Sequence, residues 1–396
     1  MKNRIKASTI AVRTTLYLIS TVLIFSSIEL GARFIEYFGP KTFVFKKFDS
    51  DLGVSLLPNK SGIHRSCFDG YVVTNSDGMR DKERTEQRPN GVFRIGIFGD
   101  SVMEGLHVYP DQVAARRLEF NLNRELCDGK CEVLNFSTGG YGTVEEYIKY
   151  TKVGRKFDIN LGIVAFTGND LSNNLPDSMI YDGNLYGSVQ VKKTQEGDYE
   201  YVRPKKPRFY DLLFLLNDNS VAFRFLYKFY IHVAAKVLSG NLEAEIRDTR
   251  LRFLDPRDQL GQTAWEITDS FLSRFAEDLR ANGADMFLVY SGYDVYQETQ
   301  DWKGARQQYV DRVGRVIDAT YASKWLAEWG RGNGVRTFDL GQHLYKYLKS
   351  NNLKDVGLGY SCDTHLNPEG HKVVAEVLFD AIKGSGVLIA LGRLAE

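Results

Sequence analysis

The chain has 396 residues, 43% of them hydrophobic and 26% charged, so it can bury a sizeable core and has the composition of an ordinary globular protein. Its net charge is +1, and it contains no zinc-finger or basic-helix motif, which excludes the usual classes of nucleic-acid-binding protein. At this length we expect one large domain with additions.

The N-terminus differs from the rest of the chain. Residues 1–13 carry four basic side chains and no acid, and the uncharged run "TTLYLISTVLIFSSI" (14–28) follows. Counted from Ser8, the apolar segment has about 21 residues, close to the ~20 that a bilayer requires. The basic flank predicts a cytoplasmic N-terminus and an exported remainder. We favour an uncleaved anchor within residues 1–38, because "ELGARFIEYF" offers no small-x-small cleavage site. A cleaved signal peptide and a buried N-terminal helix are the alternatives.

Residues 39–92 form an extended linker or subdomain that we expect to pack on the core, with turn signals in "PNKSG", "NSDGMRD" and "RPNG". From Phe93, apolar runs of strand length alternate with segments of helical spacing. The predicted strands are 94–99, 132–137, 160–166, 285–291 and 335–340, and the predicted helices are about 110–126, 143–156, 262–282, 305–329 and 368–383. This alternation predicts βαβ units around a mostly parallel five-stranded sheet covered on both faces, a three-layer α/β/α sandwich.

The predicted core domain spans residues 93–383, and residues 384–396 form a C-terminal tail. An insertion at about 171–260 interrupts the alternation, and we expect a small hairpin followed by helices there. Its aromatic and basic side chains are interpreted mainly as the packing of the insertion itself, with a substrate groove or a membrane-facing surface as alternatives.

Four cysteines fit an exported protein. Cys127 and Cys131 bracket a turn-like "DGK", which a disulfide could close, and Cys67 with Cys362 would be the remaining pair. Zinc binding is a weaker alternative, and free buried thiols are the third. We expect no metal and no organic cofactor.

Polar signatures follow three predicted strands and precede the last helix. Gly99-Asp100-Ser101 follows the first strand, "NFSTGGYGT" (135–143) the second and "FTGND" (166–170) the third, while "SCDTHLNPEGH" (361–371) precedes the helix. Ligands of open parallel sheets bind beyond the carboxyl ends of the strands, so the first three signatures are expected on one rim.

These blocks resemble the SGNH, or GDSL-like, hydrolase superfamily over roughly residues 93–383, with a flavodoxin-like fold. The matching positions are Gly99-Asp100-Ser101, the N-x-x-x-x-G spacing from Asn135 to Gly140, Gly168-Asn169-Asp170, and Asp363 with His365. The resemblance implies that Ser101 is the nucleophile, His365 the base and Asp363 the group that orients His365. It also implies an oxyanion hole built from the N–H groups of Ser101 and Gly140 and the side-chain amide of Asn169.

The acid is displaced from the commoner position. Many members of the superfamily carry it three residues before the histidine, where this chain has Cys362; here it stands two residues before, as in SGNH-like O-acetyltransferases of exported polysaccharides. The alternative is that backbone carbonyls orient His365 in place of Asp363. We interpret Asp100 and Asp170 as loop-bracing residues, Asn367-Pro368 as a helix start, and His371 as a packed or surface histidine.

The resemblance and the predicted anchor together imply a serine esterase, held at the bacterial cytoplasmic membrane by one helix with its catalytic domain on the extracytoplasmic side. It would act on O-acetyl or other ester-linked acyl groups of an exported carbohydrate. An O-acyltransferase with the same triad and a non-catalytic assembly or carbohydrate-binding protein of the envelope are the alternatives. Protein partners are not predicted.

Overall fold

A computed structural model describes residues 2–39, 41, 43–175, 189–239, 259–292, 320–351, 357–360 and 363–386. The strands are β1 (Lys46–Asp49), β2 (Gly53–Leu56), β3 (Ser61–Arg65), β4 (Asp69–Val73), β5 (Phe93–Gly99), β6 (Cys131–Asn135), β7 (Leu161–Phe166), β8 (Gln190–Lys193), β9 (Tyr199–Val202), β10 (Asp285–Tyr290), β11 (Arg336–Asp339), β12 (Gly359–Tyr360) and β13 (Asp363–Leu366). The helices are α1 (Lys2–Phe38), α2 (Ser101–Glu104), α3 (Ala114–Leu122), α4 (Thr143–Lys152), α5 (Gly168–Asn173), α6 (Tyr210–Asn219), α7 (Val221–Ser239), α8 (Gln259–Ala281), α9 (Tyr321–Asn333), α10 (Leu340–Ser350) and α11 (Pro368–Ser385).

Five parallel strands form the central sheet in the order β11-β10-β7-β5-β6. Every residue of β5 and β7 is buried, as expected for strands that are covered on both faces. Numbered along the chain the order is 2-1-3-4-5, and the direction of winding reverses between β5 and β7. In this doubly wound order, the crevice beyond the carboxyl ends of those two strands is the expected ligand site.

Two helical layers cover the sheet. Phe98 and Val164 point into a core that they share with α4, α8 and α9. Their neighbours Ile97 and Ile163 point into the opposite core, which contains α3, α10 and α11. The predicted three-layer α/β/α class with a five-stranded parallel sheet is therefore confirmed.

The helix α10 was not predicted from the sequence. Its buried side chains Leu340, Leu344 and Leu348 recur at every fourth position, so one stripe of this 11-residue helix packs on the sheet. The predicted helix 305–329 corresponds in part to α9, and its first half lies outside the described residues.

The regions outside the sandwich contain short hairpins. β1 with β2 and β3 with β4 are antiparallel pairs within residues 39–92. In the insertion, the β8–β9 hairpin packs on α8 through a hydrogen bond from Tyr199 Oη to Glu266 (2.6 Å), and α6 and α7 follow. The predicted Cys127–Cys131 disulfide is present. Cys67 is also disulfide-bonded, and Cys362 lies outside the described residues.

Candidate active site

Ser101 lies at the carboxyl end of β5, on the first residue of the single-turn helix α2. Asp100 caps this turn, since its Oδ1 accepts a hydrogen bond from the Val102 N–H (2.9 Å). The turn ends at Gly105, which has a φ of +69° and donates its N–H to the Ser101 carbonyl (3.3 Å). The Ser101 side chain is half-buried, whereas Asp100 is fully buried. The sequence therefore folds into a tight strand-to-turn connection that presents a serine at the sheet edge.

The loop after β6 passes directly beside this serine. A Cβ atom on Gly139 would lie 3.1 Å from the Ser101 Cβ. The Gly139 N–H donates to Glu104 Oε2 (2.8 Å), and the Gly139 carbonyl accepts from Lys46 Nζ (2.9 Å). The next residue, Gly140, has a φ of +93°, a conformation that glycine adopts without the strain of other residues.

The loop after β7 meets the first loop through Asp100. Asp100 Oδ2 accepts a hydrogen bond from Asn169 Nδ2 (3.1 Å), and Thr167 Oγ1 lies at the same distance from that oxygen. Thr167 also donates to Asn169 Oδ1 (2.6 Å), which fixes the orientation of the amide. An amide nitrogen carries two protons, so Asn169 retains one donor after it has bonded Asp100.

Buried carboxyl groups lie beneath these loops. Asp170 is fully buried within hydrogen-bonding distance of Thr167 and Thr143, and burial, with the nearby Asp100, raises its pKa well above the usual range. Burial also raises the pKa of Glu146, and Asp170 and Asp100 add to that effect. Burial therefore favours the neutral form of both carboxyl groups, while Asp100 accepts the hydrogen bond from the Asn169 amide. The predicted loop-bracing roles of Asp100 and Asp170 agree with these bonds.

His365 is carried by β13, which packs against α2. Its half-buried imidazole stacks on the ring of His107, with 4.1 Å between centroids and 16° between ring planes. Asp363 opens the same strand, but its side chain lies outside the described residues, so its orienting role stays a prediction.

The helix after β13 begins as the sequence predicts. Asn367 caps α11 by accepting from the Gly370 N–H (2.9 Å), and Pro368 is its first residue. His371 on this helix is buried and accepts a hydrogen bond from the Ala114 N–H at its Nδ1 (3.3 Å). Burial lowers the pKa of His371 to about 3, which makes it a neutral packed histidine.

Three supporting residues were not found from the sequence. Glu104 and Lys46 hold the loop at Gly139, and His107 supports the ring of His365. Glu104 carried a weak signal, because a glutamate three residues after a serine on one helical turn lies near it. Nothing in the sequence indicates that Lys46 or His107 approaches the site.

Arg80 is a fourth residue of this kind and the most deeply buried cation at the site. Its guanidinium donates to the carbonyls of Glu104 (3.1 Å), Gly105 and Val108 (2.5 Å), and to that of Tyr71 on β4 (3.0 Å). It thereby joins the 39–92 region to the chain that leaves the Ser101 turn. Burial lowers its pKa to about 10, so it remains charged near neutral pH.

These features define the class of protein: a doubly wound, three-layer α/β domain with a serine at the switch point of its sheet. The loops that carry Gly139 and Asn169 are hydrogen-bonded to the Ser101 turn, and the strand that carries His365 packs against this turn. Among the described residues, no group of three His, Cys, Asp or Glu side chains is arranged to hold a metal ion.

Comparisons with known proteins give structural neighbours only. No protein-family model and no curated protein matches the chain. Among solved structures, the chain is similar to the acetyl xylan esterase AlAXEase (12% identity, TM-score 0.37, 73% of this chain and 100% of that one). It is also similar to a lipase/acylhydrolase from Enterococcus faecalis (11%, 0.36, 74% and 97%) and to the esterase EstA from Pseudoalteromonas sp. (8%, 0.37, 74% and 97%). Because these identities and TM-scores are low, the fold class rests on the strand order of this chain, and the chemistry proposed below rests on its own residues.

Proposed function

We propose that the protein is a serine esterase of the SGNH type that cleaves ester-linked acyl groups through an acyl-enzyme on Ser101. The observation that carries the proposal is the convergence of Ser101, the Gly139–Gly140 loop and Asn169 at the switch point of the sheet. Ligands of doubly wound sheets bind there, and nucleophilic catalysis requires a serine with a base and oxyanion donors within reach.

In the proposed reaction, Ser101 Oγ attacks the carbonyl carbon of the ester while His365 takes the hydroxyl proton. The tetrahedral intermediate collapses, the bond from the carbonyl carbon to the alcohol oxygen breaks, and His365 returns the proton to the leaving alcohol. Water, deprotonated by His365, then attacks the acyl-enzyme and releases the carboxylic acid and free Ser101. Asp363 is proposed to orient His365, and the stack on His107 limits the positions that the imidazole ring can take.

The oxyanion would be bound by the N–H groups of Ser101 and Gly140 and by Asn169 Nδ2. Two features support this set. Within the described ranges, neither backbone N–H has a protein acceptor, and Asn169 has one amide proton beyond the one given to Asp100. All three residues are half-buried, so a substrate carbonyl can approach groups that are already held in place.

We propose O-acetyl groups of an exported carbohydrate as the substrate and the extracytoplasmic side of the cytoplasmic membrane as the location. Within the part of the chain that the structure describes, one helix, Val12–Phe38, is long and apolar enough to cross a membrane. Glu29 of this helix accepts hydrogen bonds from Ser220 Oγ (2.8 Å) and from the Val221 N–H (3.0 Å) of the folded domain. A cleaved signal would remove these contacts, so they favour a retained anchor.

The test is active-site labelling of the full-length protein in detergent with a fluorophosphonate probe. The wild type and a His343→Gln variant, whose histidine lies on α10, are expected to label and to hydrolyse p-nitrophenyl acetate. Ser101→Ala is expected to abolish both, and His365→Ala to reduce both by about 10³-fold or more. A wild-type protein that fails to label would contradict the nucleophile.

The acceptor is tested in the same assay. Acetate as the only product in the presence of an oligosaccharide supports the esterase, whereas acetylated oligosaccharide would show that the acyl-enzyme is discharged to a sugar. Acyl turnover no faster than background in both the wild type and Ser101→Ala would contradict both reactions and favour a non-catalytic envelope protein.

A further inference from the structure

Helices α6 and α7 of the insertion expose an unusual amount of apolar surface. Eight large apolar side chains on or next to these helices face solvent: Phe209, Leu212, Leu215, Leu216, Leu226, Phe229, Tyr230 and Val233. Single exposed apolar residues are ordinary, as is the exposed Phe120 on α3, but a contiguous group marks an interaction surface.

The exposed residues have helical spacing on each helix. On α6 they stand at positions 212, 215 and 216, and on α7 at 226, 229, 230 and 233. Residues three and four apart lie on one face, so the exposed apolar residues of each helix share one outward face. We call these seven residues together with Phe209 the α6–α7 apolar face.

The α6–α7 turn is fastened to α1 immediately after the uncharged run 14–28. Glu29 accepts hydrogen bonds from Ser220 and from the first N–H groups of α7, and Arg33 donates to the Asn219 carbonyl (3.2 Å). Further along, Arg224 of α7 lies 3.4 Å from Glu36. Glu29 and Arg33 are the first charged residues after the apolar run, so the turn lies where α1 would leave the hydrocarbon for the headgroups.

The helices are also fastened to the body of the protein. The Phe48 N–H of β1 donates to Tyr210 Oη (2.7 Å), and Lys60 lies 3.4 Å from Asp218. The apolar face is therefore presented by helices with fixed attachments at both α1 and the hairpins, and α1 itself also exposes large apolar side chains.

We propose that the α6–α7 apolar face rests on the lipid bilayer around α1, as a second membrane contact of the protein. Two arguments favour lipid over a second copy of the chain. The face begins at the headgroup level of a helix that already requires lipid, and the exposed Lys205 and Arg208 next to Phe209 match anionic headgroups. The catalytic domain is then held in one orientation to the membrane by two contacts instead of swinging on a single helix.

The experiment uses the full-length protein in nanodiscs of phosphatidylcholine and phosphatidylglycerol. Leu226→Cys and Phe229→Cys are each labelled with the fluorophore NBD, and Phe120→Cys is the matched control, since Phe120 and Phe229 are 63% and 68% exposed. Cys127 and Cys131 form a disulfide, and Cys67 is also disulfide-bonded. Labelling is therefore carried out without reductant, so that these disulfides stay closed while the new thiol reacts. All three labels replace outward side chains, and the thermal unfolding midpoint confirms the fold of each.

The labels at positions 226 and 229 are expected to shift their emission to the blue and to be quenched by doxyl-labelled lipid but not by iodide. The label at position 120 is expected to emit at longer wavelength and to be quenched by iodide but not by doxyl-labelled lipid. Quenching by iodide at 226 and 229 equal to that at 120 would overturn the proposal. Protection from both quenchers would also overturn it, because protein rather than lipid would then cover the face. Neither result depends on esterase activity.

Discussion

Glu104 connects the nucleophile turn to the loop that would supply an oxyanion donor. Its side chain is 0% exposed, and its Oε2 accepts the Gly139 N–H at 2.8 Å and lies 3.9 Å from Lys46 Nζ. Glu104→Ala leaves the Gly139 N–H buried without an acceptor, which costs about 1–3 kcal/mol. The loop can avoid part of that cost by moving, but then the adjacent Gly140 N–H leaves the position at which it would meet an oxyanion.

The size of the kinetic effect follows from these limits. A loss of 1–3 kcal/mol in the transition state alone corresponds to a fall in kcat of about 5- to 150-fold. Complete loss of one oxyanion donor sets the upper bound at about 10²–10³-fold. Because Gly140 would bind the reacting oxyanion more tightly than the ground-state carbonyl, we expect kcat to fall and KM to change little.

The assay is the hydrolysis of p-nitrophenyl acetate, with kcat and KM measured separately and the free energy of unfolding measured in urea. Glu104→Gln is the matched variant, since its amide oxygen can still accept the Gly139 N–H, and it should recover most of the lost kcat. A Glu104→Ala protein with wild-type kcat but reduced stability would refute the positioning role. Equal losses in the Ala and Gln variants would refute the hydrogen bond as its cause.

Three further predictions concern stability. Burial raises the pKa of Glu145 to about 8, whereas the unfolded chain releases this proton near pH 4.5, so the free energy of unfolding should fall as pH rises from about 4.5 to about 8. Urea titrations of Glu145→Gln should show a smaller fall over this range. An unchanged dependence of the unfolding free energy on pH would contradict the prediction. Replacing Cys127 and Cys131 by serine should lower the free energy of unfolding by about 2 kcal/mol, since the closed loop is short. Gly140→Ala should lower the free energy of unfolding by about 1–3 kcal/mol because alanine is strained at a φ of +93°, although no described atom lies within 4 Å of the added Cβ. An unchanged free energy of unfolding in urea would show that the loop relaxes and would contradict this prediction.

The five core strands were predictable because buried parallel strands are continuous apolar runs, and β5 and β7 are such runs. The rim position of Ser101 and Asn169 followed from strand ends alone. Arg80 and Lys46 were not predictable, since their partners in the Ser101 turn and the Gly139 loop lie 24 or more residues away and depend on how the hairpins of residues 39–92 fold back. The helix α10 was missed for a different reason: it directly follows β11, and its short apolar stripe has too few residues to establish a helical period.

The three loops at the switch point are joined to one another by buried or half-buried polar groups. Asp100 connects the Ser101 turn to Asn169 after β7, Glu104 connects that turn to Gly139 after β6, and Asn173 donates to the Tyr141 carbonyl (3.2 Å) to connect the last two loops. Asp100, Glu104 and Asn173 do not themselves act on the substrate in the proposed reaction, and Asn169 keeps one amide proton beyond the one that it gives to Asp100. Because the loops restrain one another in a closed ring, removing any one connection should displace donors on two loops at once. An active site that stabilises an oxyanion needs such prior placement, since donors that must reorganise during the reaction lose much of their effect.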